Sequence, residues 1–145
     1  MITLEKLLLL QSAEIFKYTP EEALVELAAS TTEEYFTAGD VIIQENEFDD
    51  CMYIVVYGRA NIMTGDMFLA KAEKNDIFGE LAALAPEKRI ASVIADTDML
   101  ALKISHKIIY EIMELNVGLT KGIIHVLCQR YRHLSMQMRQ LKGLQ

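Results

Sequence analysis

Apolar and polar positions change rhythm twice along this chain. Thr3 to Gln11 is apolar and helical in character, and a second helix is predicted from Thr19-Pro20-Glu21-Glu22 to about Ser30. There Thr19 can cap, Pro20 suits the first position, acids face the helix dipole, and Leu24, Leu27 and Ala28 form the buried stripe. From Glu34 to Ser105 the period shortens. Tyr35-Phe36, Val41 to Ile43, Met52 to Tyr57, Ala60 to Met63, Met67 to Ala72, Ser92 to Ala95 and Met99 to Ile104 read as short strands. Ala38-Gly39-Asp40, Gly58-Arg59 and Thr64-Gly65-Asp66 punctuate them as turns. Short strands with turn signals every 8–12 residues predict a sandwich or barrel.

Helical spacing returns after Ser105, a second candidate cap, and runs from His106 to about Leu115. Asn116-Val117-Gly118 is expected to break it before a long helix to about Leu141. Within that helix Ile124, Leu127, Tyr131, Leu134, Met138 and Leu141 are spaced alternately three and four apart, the rhythm of a coiled-coil seam. Two readings stand: a seam for a second copy, or a helix packed on its own barrel.

The 145-residue length suits one domain with a real core, and 52% hydrophobic against 24% charged residues excludes disorder. No run approaches the ~20 apolar residues of a spanning helix, and Met1 to Lys6 lacks signal-peptide character. A net charge of −7 makes direct nucleic-acid binding a poor expectation. The charge is uneven, however. All 21 acids lie at or before Glu114, while Lys121, Arg130, Arg132, Arg139 and Lys142 follow it. Those cations suit the C-terminal dipole of the last helix facing an acidic body; the other reading is a polyanion site. Cys51 and Cys128 form no disulfide framework, which predicts a cytoplasmic chain. The histidines His106, His125 and His133 are confined to the last third, so neither a metal site nor a cupin-type barrel enzyme is expected.

The segment Asp76 to Val93 interrupts the strands with a short helical piece, Glu80 to Leu84. Gly79 opens it, where glycine permits positive φ and close approach of a ligand to backbone. Free N–H groups at a helix start attract anions, and Arg89 returns ten residues later with a guanidinium suited to two phosphate oxygens. Glu80 fits such a site if it accepts from a hydroxyl of the same ligand. The plain alternative is a helix start whose acid suits the dipole and an arginine in a surface pair.

Phe78-Gly79-Glu80-Leu81-Ala82-Ala83-Leu84, followed by Arg89-Ile90-Ala91-Ser92-Val93, resembles the phosphate cassette of the cyclic-nucleotide-binding domain family. That family includes protein kinase A regulatory subunits and the bacterial catabolite activator protein. Ala38 to Ile43, the Met52 to Arg59 strand and turn, and the flanking helices follow in the family's order. The resemblance implies an α+β, mainly β, fold. A double-stranded β-helix or jelly-roll barrel would carry N-terminal helices, a short cassette helix and two C-terminal helices. It implies one domain over 1–145, with helices in 3–30, the β-roll in 34–104 and helices in 106–142. The implied role is regulatory and not catalytic: sensing a cyclic nucleotide, with cAMP as ligand, and moving the C-terminal helices.

By the same resemblance, Glu80 accepts the ribose 2′-hydroxyl and Arg89 pairs with the cyclic phosphate. The amides of Gly79, Leu81, Ala82 and Ala91 complete the cradle, and Phe78 and Leu81 pack. Arg130, Tyr131, Leu134 and Ser135 are candidate base neighbours, from helix position. Asn46 and Asn75 replace turn glycines, which asparagine tolerates. Ile90 stands where cGMP-selective relatives have Thr; it offers guanine no hydroxyl, and its bulk is expected to crowd the site. Pro86 comes earlier than the family's usual proline, where this chain has Lys88. The partners implied are a cyclic nucleotide, a second copy through the last helix, and a larger effector protein or domain. The alternative is a ligand-free dimerisation module of the same fold. Transcription-factor relatives carry a helix-turn-helix after the long helix; the sequence ends at Gln145, so that role is not expected.

Overall fold

The computed structural model describes residues 1–143. Helix α1 (Thr3–Gln11), a 3₁₀ turn (Glu14–Phe16) and helix α2 (Glu21–Ser30) lead into ten strands. These are β1 (Thr32–Phe36), β2 (Val41–Ile43), β3 (Phe48–Asp49), β4 (Cys51–Tyr57), β5 (Ala60–Thr64), β6 (Met67–Ala72), β7 (Ile77–Phe78), β8 (Glu87–Lys88), β9 (Ser92–Ala95) and β10 (Met99–Ser105). Helix α3 (Glu80–Leu84) sits between β7 and β8, and α4 (His106–Leu115) and α5 (Val117–Gly143) follow the roll. All strand pairs are antiparallel. One four-stranded sheet has the order β1-β10-β4-β7, a second β2-β9-β5-β6, and β3 pairs with β8. This is the jelly-roll architecture, with helices at both ends.

The first sheet explains why β4 and β10 read as unbroken apolar runs. Strand side chains alternate faces, and here both faces are covered. Met52, Ile54, Leu102 and Ile104 point to the helical side, packing with Leu10, Phe16, Leu27, Ile109, Leu119 and Ile123. Tyr53, Val55, Met99 and Ala101 point into the roll, with Ile43, Ala60, Phe78 and Val93. The chain thus has two cores sharing one sheet, and α3 packs Ala83 and Leu84 into the helical one.

Local details correct some expectations. Ser105 does cap α4, its Oγ accepting from the Ile108 amide at 3.3 Å. Thr19 does not cap α2. Pro20 itself takes the cap position (φ −60°, ψ 145°), one residue later than expected, and the Thr19 hydroxyl is buried without a partner. The break between α4 and α5 falls at Asn116 alone, whose side chain accepts from the Gly118 amide at 3.0 Å. Gly118 is no breaker. It lies inside α5, where a Cβ would come within 2.5 Å of Pro20, so its role is close packing. Among the described residues no helix is long and apolar enough to cross a membrane.

The seam predicted on α5 does not pack on the chain's own barrel. The docked face is Leu119, Gly122, Ile123 and Val126. Ile124, Tyr131, Leu134, Met138 and Leu141 are all more than half exposed, and Leu127 is partly buried.

Candidate functional site

Gly79 adopts φ 80°, ψ 10°, a left-handed conformation that turns the chain from β7 into α3. Any side chain there would collide as well as strain: a Cβ would lie 2.7 Å from the Cys51 carbonyl and 2.9 Å from Arg89 Nη1. The space glycine leaves is filled by the Arg89 guanidinium. Arg89 is only 7% exposed. Its Nη1 donates to the Gly79 carbonyl at 3.2 Å and its Nη2 to the Cys51 carbonyl, with Asp49 Oδ2 at 3.5 Å. Its Nε is buried and has no protein partner. A charged group taken out of water with one donor unused is costly unless something else accepts from it.

Arg89 lines a cavity of about 440 Å³, within the ~300–1,000 Å³ typical of small-ligand sites. Gly79, Glu80, Leu81 and Ala82 form one wall, and Ile90 and Ala91 belong to the opposite loop. Ile43, Ile62, Leu69 and Val93 from the second sheet close the apolar end. No hydroxyl-bearing side chain is among the lining residues. The first amides of α3 have no helical carbonyl before them and remain available as donors. Asn46 (φ 70°) and Asn75 (φ 73°) sit in the left-handed region at the flanking turns, as the sequence allowed.

Glu80 is mostly withdrawn from solvent, at 17% side-chain exposure. Its Oε1 accepts from Arg130 Nη1 at 2.8 Å, and Arg130 Nε reaches Glu14 Oε1 at 3.2 Å. Partial burial works against the Arg130 charge, but the two carboxylates outweigh it and raise its pKa. A second cavity of about 360 Å³ adjoins here, lined by Glu14, Lys71, Asn75, Asp76, Glu80 and Arg130.

The structure therefore brings Gly79, Glu80, Leu81, Ala82, Arg89, Ile90 and Ala91 around one cavity. Of the four candidates on the last helix none lines that cavity; Arg130 alone comes near, pairing with Glu80 and lining the second cavity. Tyr131, Leu134 and Ser135 line neither cavity; Tyr131 and Leu134 are exposed to solvent. Two further expectations change. Ile90 is 87% exposed at the rim, so it does not crowd the site. Leu81 is 65% exposed at the mouth and not packed, whereas Phe78 is buried and stacks on Tyr53 with ring centres 5.2 Å apart.

Three residues beside Arg89 also come together: Asp49, Asp50 and Cys51 bring ligand-type atoms within 4.8 Å. Backbone bonds account for the cluster, since Asp49 Oδ1 accepts from the Asp50 and Cys51 amides. Burial and the Asp50 carboxylate push the Cys51 thiol up to about 11, keeping it protonated near neutrality.

Sequence reasoning missed His106 and Tyr110. His106 Nδ1 lies 2.6 Å from the Ala83 carbonyl, and Tyr110 donates its hydroxyl to the Leu84 carbonyl at 2.6 Å. Only their i, i+4 spacing on α4 was visible beforehand.

Comparison with known proteins bears on this geometry. Residues 33–116 match the sequence model of the cyclic nucleotide-binding domain. A cGMP-dependent protein kinase of Plasmodium berghei is 35% identical over 86 residues, 59% of this chain and 10% of the kinase. A cAMP-dependent protein kinase regulatory subunit of Hypocrea atroviridis is 41% identical over 64 residues, 44% of this chain and 14% of the subunit. The chain thus spans a small part of these relatives. Among solved structures, the N-terminal domain of a Streptomyces coelicolor transcriptional regulator superposes with a TM-score of 0.83 at 23% identity, covering 90% of this chain and 94% of that one. The regulatory domain of Toxoplasma gondii PKA, crystallised with cAMP, gives 0.75 at 23% identity, covering 90% and 50%. At those identities the superpositions speak for the fold.

Proposed function

Because the chain belongs to the cyclic nucleotide-binding domain family, we propose that it is a regulatory sensor module whose ligand is cAMP. The observation that carries this is Arg89, a cavity-lining residue whose guanidinium is buried and whose Nε has no protein partner, beside the free first amides of α3. That arrangement suits an anion held by a charged donor and by backbone. In the bound state Arg89 and the amides of Gly79, Leu81, Ala82 and Ala91 hold the cyclic phosphate, and Glu80 accepts the ribose 2′-hydroxyl. The aliphatic end takes the purine. A cavity without a hydroxyl side chain offers guanine no special partner, which favours cAMP over cGMP. The proposal takes 1–145 as one module, regulatory rather than catalytic, working in the cytoplasm and coupled to a larger effector protein or domain.

Glu80 links ligand to output. One of its oxygens already belongs to Arg130 on α5. A ribose hydroxyl donating to the other redistributes the carboxylate's hydrogen bonds, and α5 is the element that answers. Such coupling shifts populations only by the ligand's differential affinity for the two states.

Calorimetric titration with cAMP, cGMP and AMP tests the reading. cAMP is expected to bind, AMP far more weakly, and Arg89→Ala to weaken cAMP by about ten- to a hundredfold, the loss of a charged hydrogen bond worth ~1.5–3 kcal/mol. Equal affinity for AMP and cAMP, or an unchanged Arg89→Ala, would overturn it.

A second reading has its own observation. The heptad seam on α5 is exposed, with Tyr131 at 74% and Leu141 at 64%. A module that dimerises through this helix with no ligand fits that fact alone. Sedimentation with and without cAMP separates the two: a dimer that ignores cAMP, in a chain that binds none, selects the second.

A further inference from the structure

The cassette helix cannot hold its own back end. It has five residues, and helices that short are marginal in isolation. Ala85 leaves it in an extended conformation (φ −139°, ψ 90°), and Pro86 follows with no N–H to offer. The last carbonyls of α3 therefore need donors from elsewhere. Helix α4 supplies two of them, from side chains four residues apart. A carbonyl can only accept, so the 2.6 Å contact places a proton on His106 Nδ1 facing Ala83. Tyr110 completes the pair on Leu84, and the two rings touch, with centres 4.1 Å apart.

We propose that His106 and Tyr110 are positioning residues for the anion cradle, clamping the back of the cassette helix so that its front amides stay aimed at the ligand. This rests on the sensor reading for the identity of the ligand but not for the clamp itself. The front of the same helix is held independently, by Arg89 on the Gly79 carbonyl. Both anchors share one support. The His106 amide donates to the Asp50 carbonyl at 2.8 Å, and the next carbonyl along, Cys51, accepts from Arg89. Helix α4 is in turn fixed by the Ser105 cap and the buried Ile109 and Ile112. Any shift of the cassette on loading is thereby handed to α4 through polar contacts, in parallel with the Glu80–Arg130 route to α5.

Hydrogen exchange of the cassette amides, read with cAMP affinity and melting temperature, tests the clamp. The reporting amides are Ala83, bonded to the Gly79 carbonyl at 3.2 Å, and Ala85, bonded to Leu81 at 2.7 Å. Tyr110→Phe and His106→Phe are each expected to speed their exchange in the ligand-free chain by about three- to tenfold, the scale of one lost hydrogen bond. cAMP affinity should fall by a similar factor, while β4 amides are less affected and the melting point drops by no more than about a few degrees. His106→Asn, whose side-chain amide can donate from nearly the same place, should restore both readings. Unchanged exchange, acceleration spread evenly through β4, failure of the Asn rescue, or a loosened cassette with undiminished cAMP affinity would each overturn the positioning role. If the wild-type chain takes up no cAMP, the sensor reading fails, and the exchange pattern alone decides whether the clamp exists.

Discussion

The two halves of α5 carry the same seven-residue rhythm and meet different fates. Before Arg130 the helix lies on the body: Leu119, Ile123 and Val126 are buried, and Gly122 lets the Tyr18 backbone approach within 2.8 Å of a notional Cβ. His125 stacks on Tyr18 at 3.9 Å. Beyond Arg130 every apolar position of the seam faces solvent. Periodicity defines an apolar face; it does not say what covers it. The docked half uses a face one residue away from the predicted seam, built on 119, 123 and 126; of the seam only Leu127 touches the core, while Ile124 and Tyr131 are exposed. The seam is left for something else, and between the halves stands Arg130, which pairs with Glu80.

Substitution sharpens that contrast most in the core. Ile123→Ala is expected to destabilise the chain by about 2–5 kcal/mol, the range for truncating a buried aliphatic side chain. Leu134→Ala, with 58% of its surface already exposed, should change a monomer's unfolding free energy by less than about 0.5 kcal/mol. Paired urea unfolding measures both at low concentration. A large loss in Leu134→Ala would mean that the distal half is covered even there, and dilution would then shift the midpoint of the wild type.

Arg130→Ala probes the junction, with a smaller effect. Its two pairs are partly solvated, so stability should fall by no more than about 1 kcal/mol. The change in α5 should be larger than the change in stability, because Glu80 loses the donor that ties it to this helix. A spin label or fluorophore at position 138 reads the outcome. Mobility that rises in Arg130→Ala, and rises in wild type on adding cAMP, agrees with the Glu80 route. Mobility indifferent to both would remove Arg130 from the coupling.

What could be read beforehand follows the range of the forces involved. The Ser105 cap, the asparagines at positive φ and the left-handed Gly79 depend on a few neighbouring residues, and the sequence carried all three. The family order and the cassette placed Glu80 and Arg89 together, although the structure was needed to show an Arg89 Nε without a partner. Strands β3, β7 and β8 escaped because two residues have no period. The 3₁₀ turn at Glu14–Phe16 was equally invisible. Thr19 failed as a cap by one position, since Pro20 supplies the extended cap conformation itself. His106 and Tyr110 escaped for a different reason: their partners are backbone carbonyls more than 20 residues away, and a carbonyl leaves no mark in a sequence. Arg130 was picked out by its place on the helix as a base neighbour, and it proves to hold a carboxylate.

The smallest effect separates the body from the helix without altering either. Cys51 is buried at the start of β4, and Cys128 is exposed on α5. The Cys51 thiol is pushed up to about 11 by burial and by Asp50, so the folded state favours its protonated form. The stability this adds is fully present below the thiol's unfolded value and is lost only as pH rises towards 11. At pH 8 an alkylating reagent should therefore modify one thiol in the native chain and two in denaturant. Raising the pH to 9.5 should leave Cys51 protected. Because the Cys51 carbonyl accepts from Arg89, opening of the cassette anchor should expose its thiol as well. Arg89→Ala is expected to raise the native count towards two, and cAMP to slow any residual modification of Cys51 in the wild type. A native count of two in the unaltered protein would mean that the Arg89 anchor opens readily without ligand, and the body would then be the looser of the two regions.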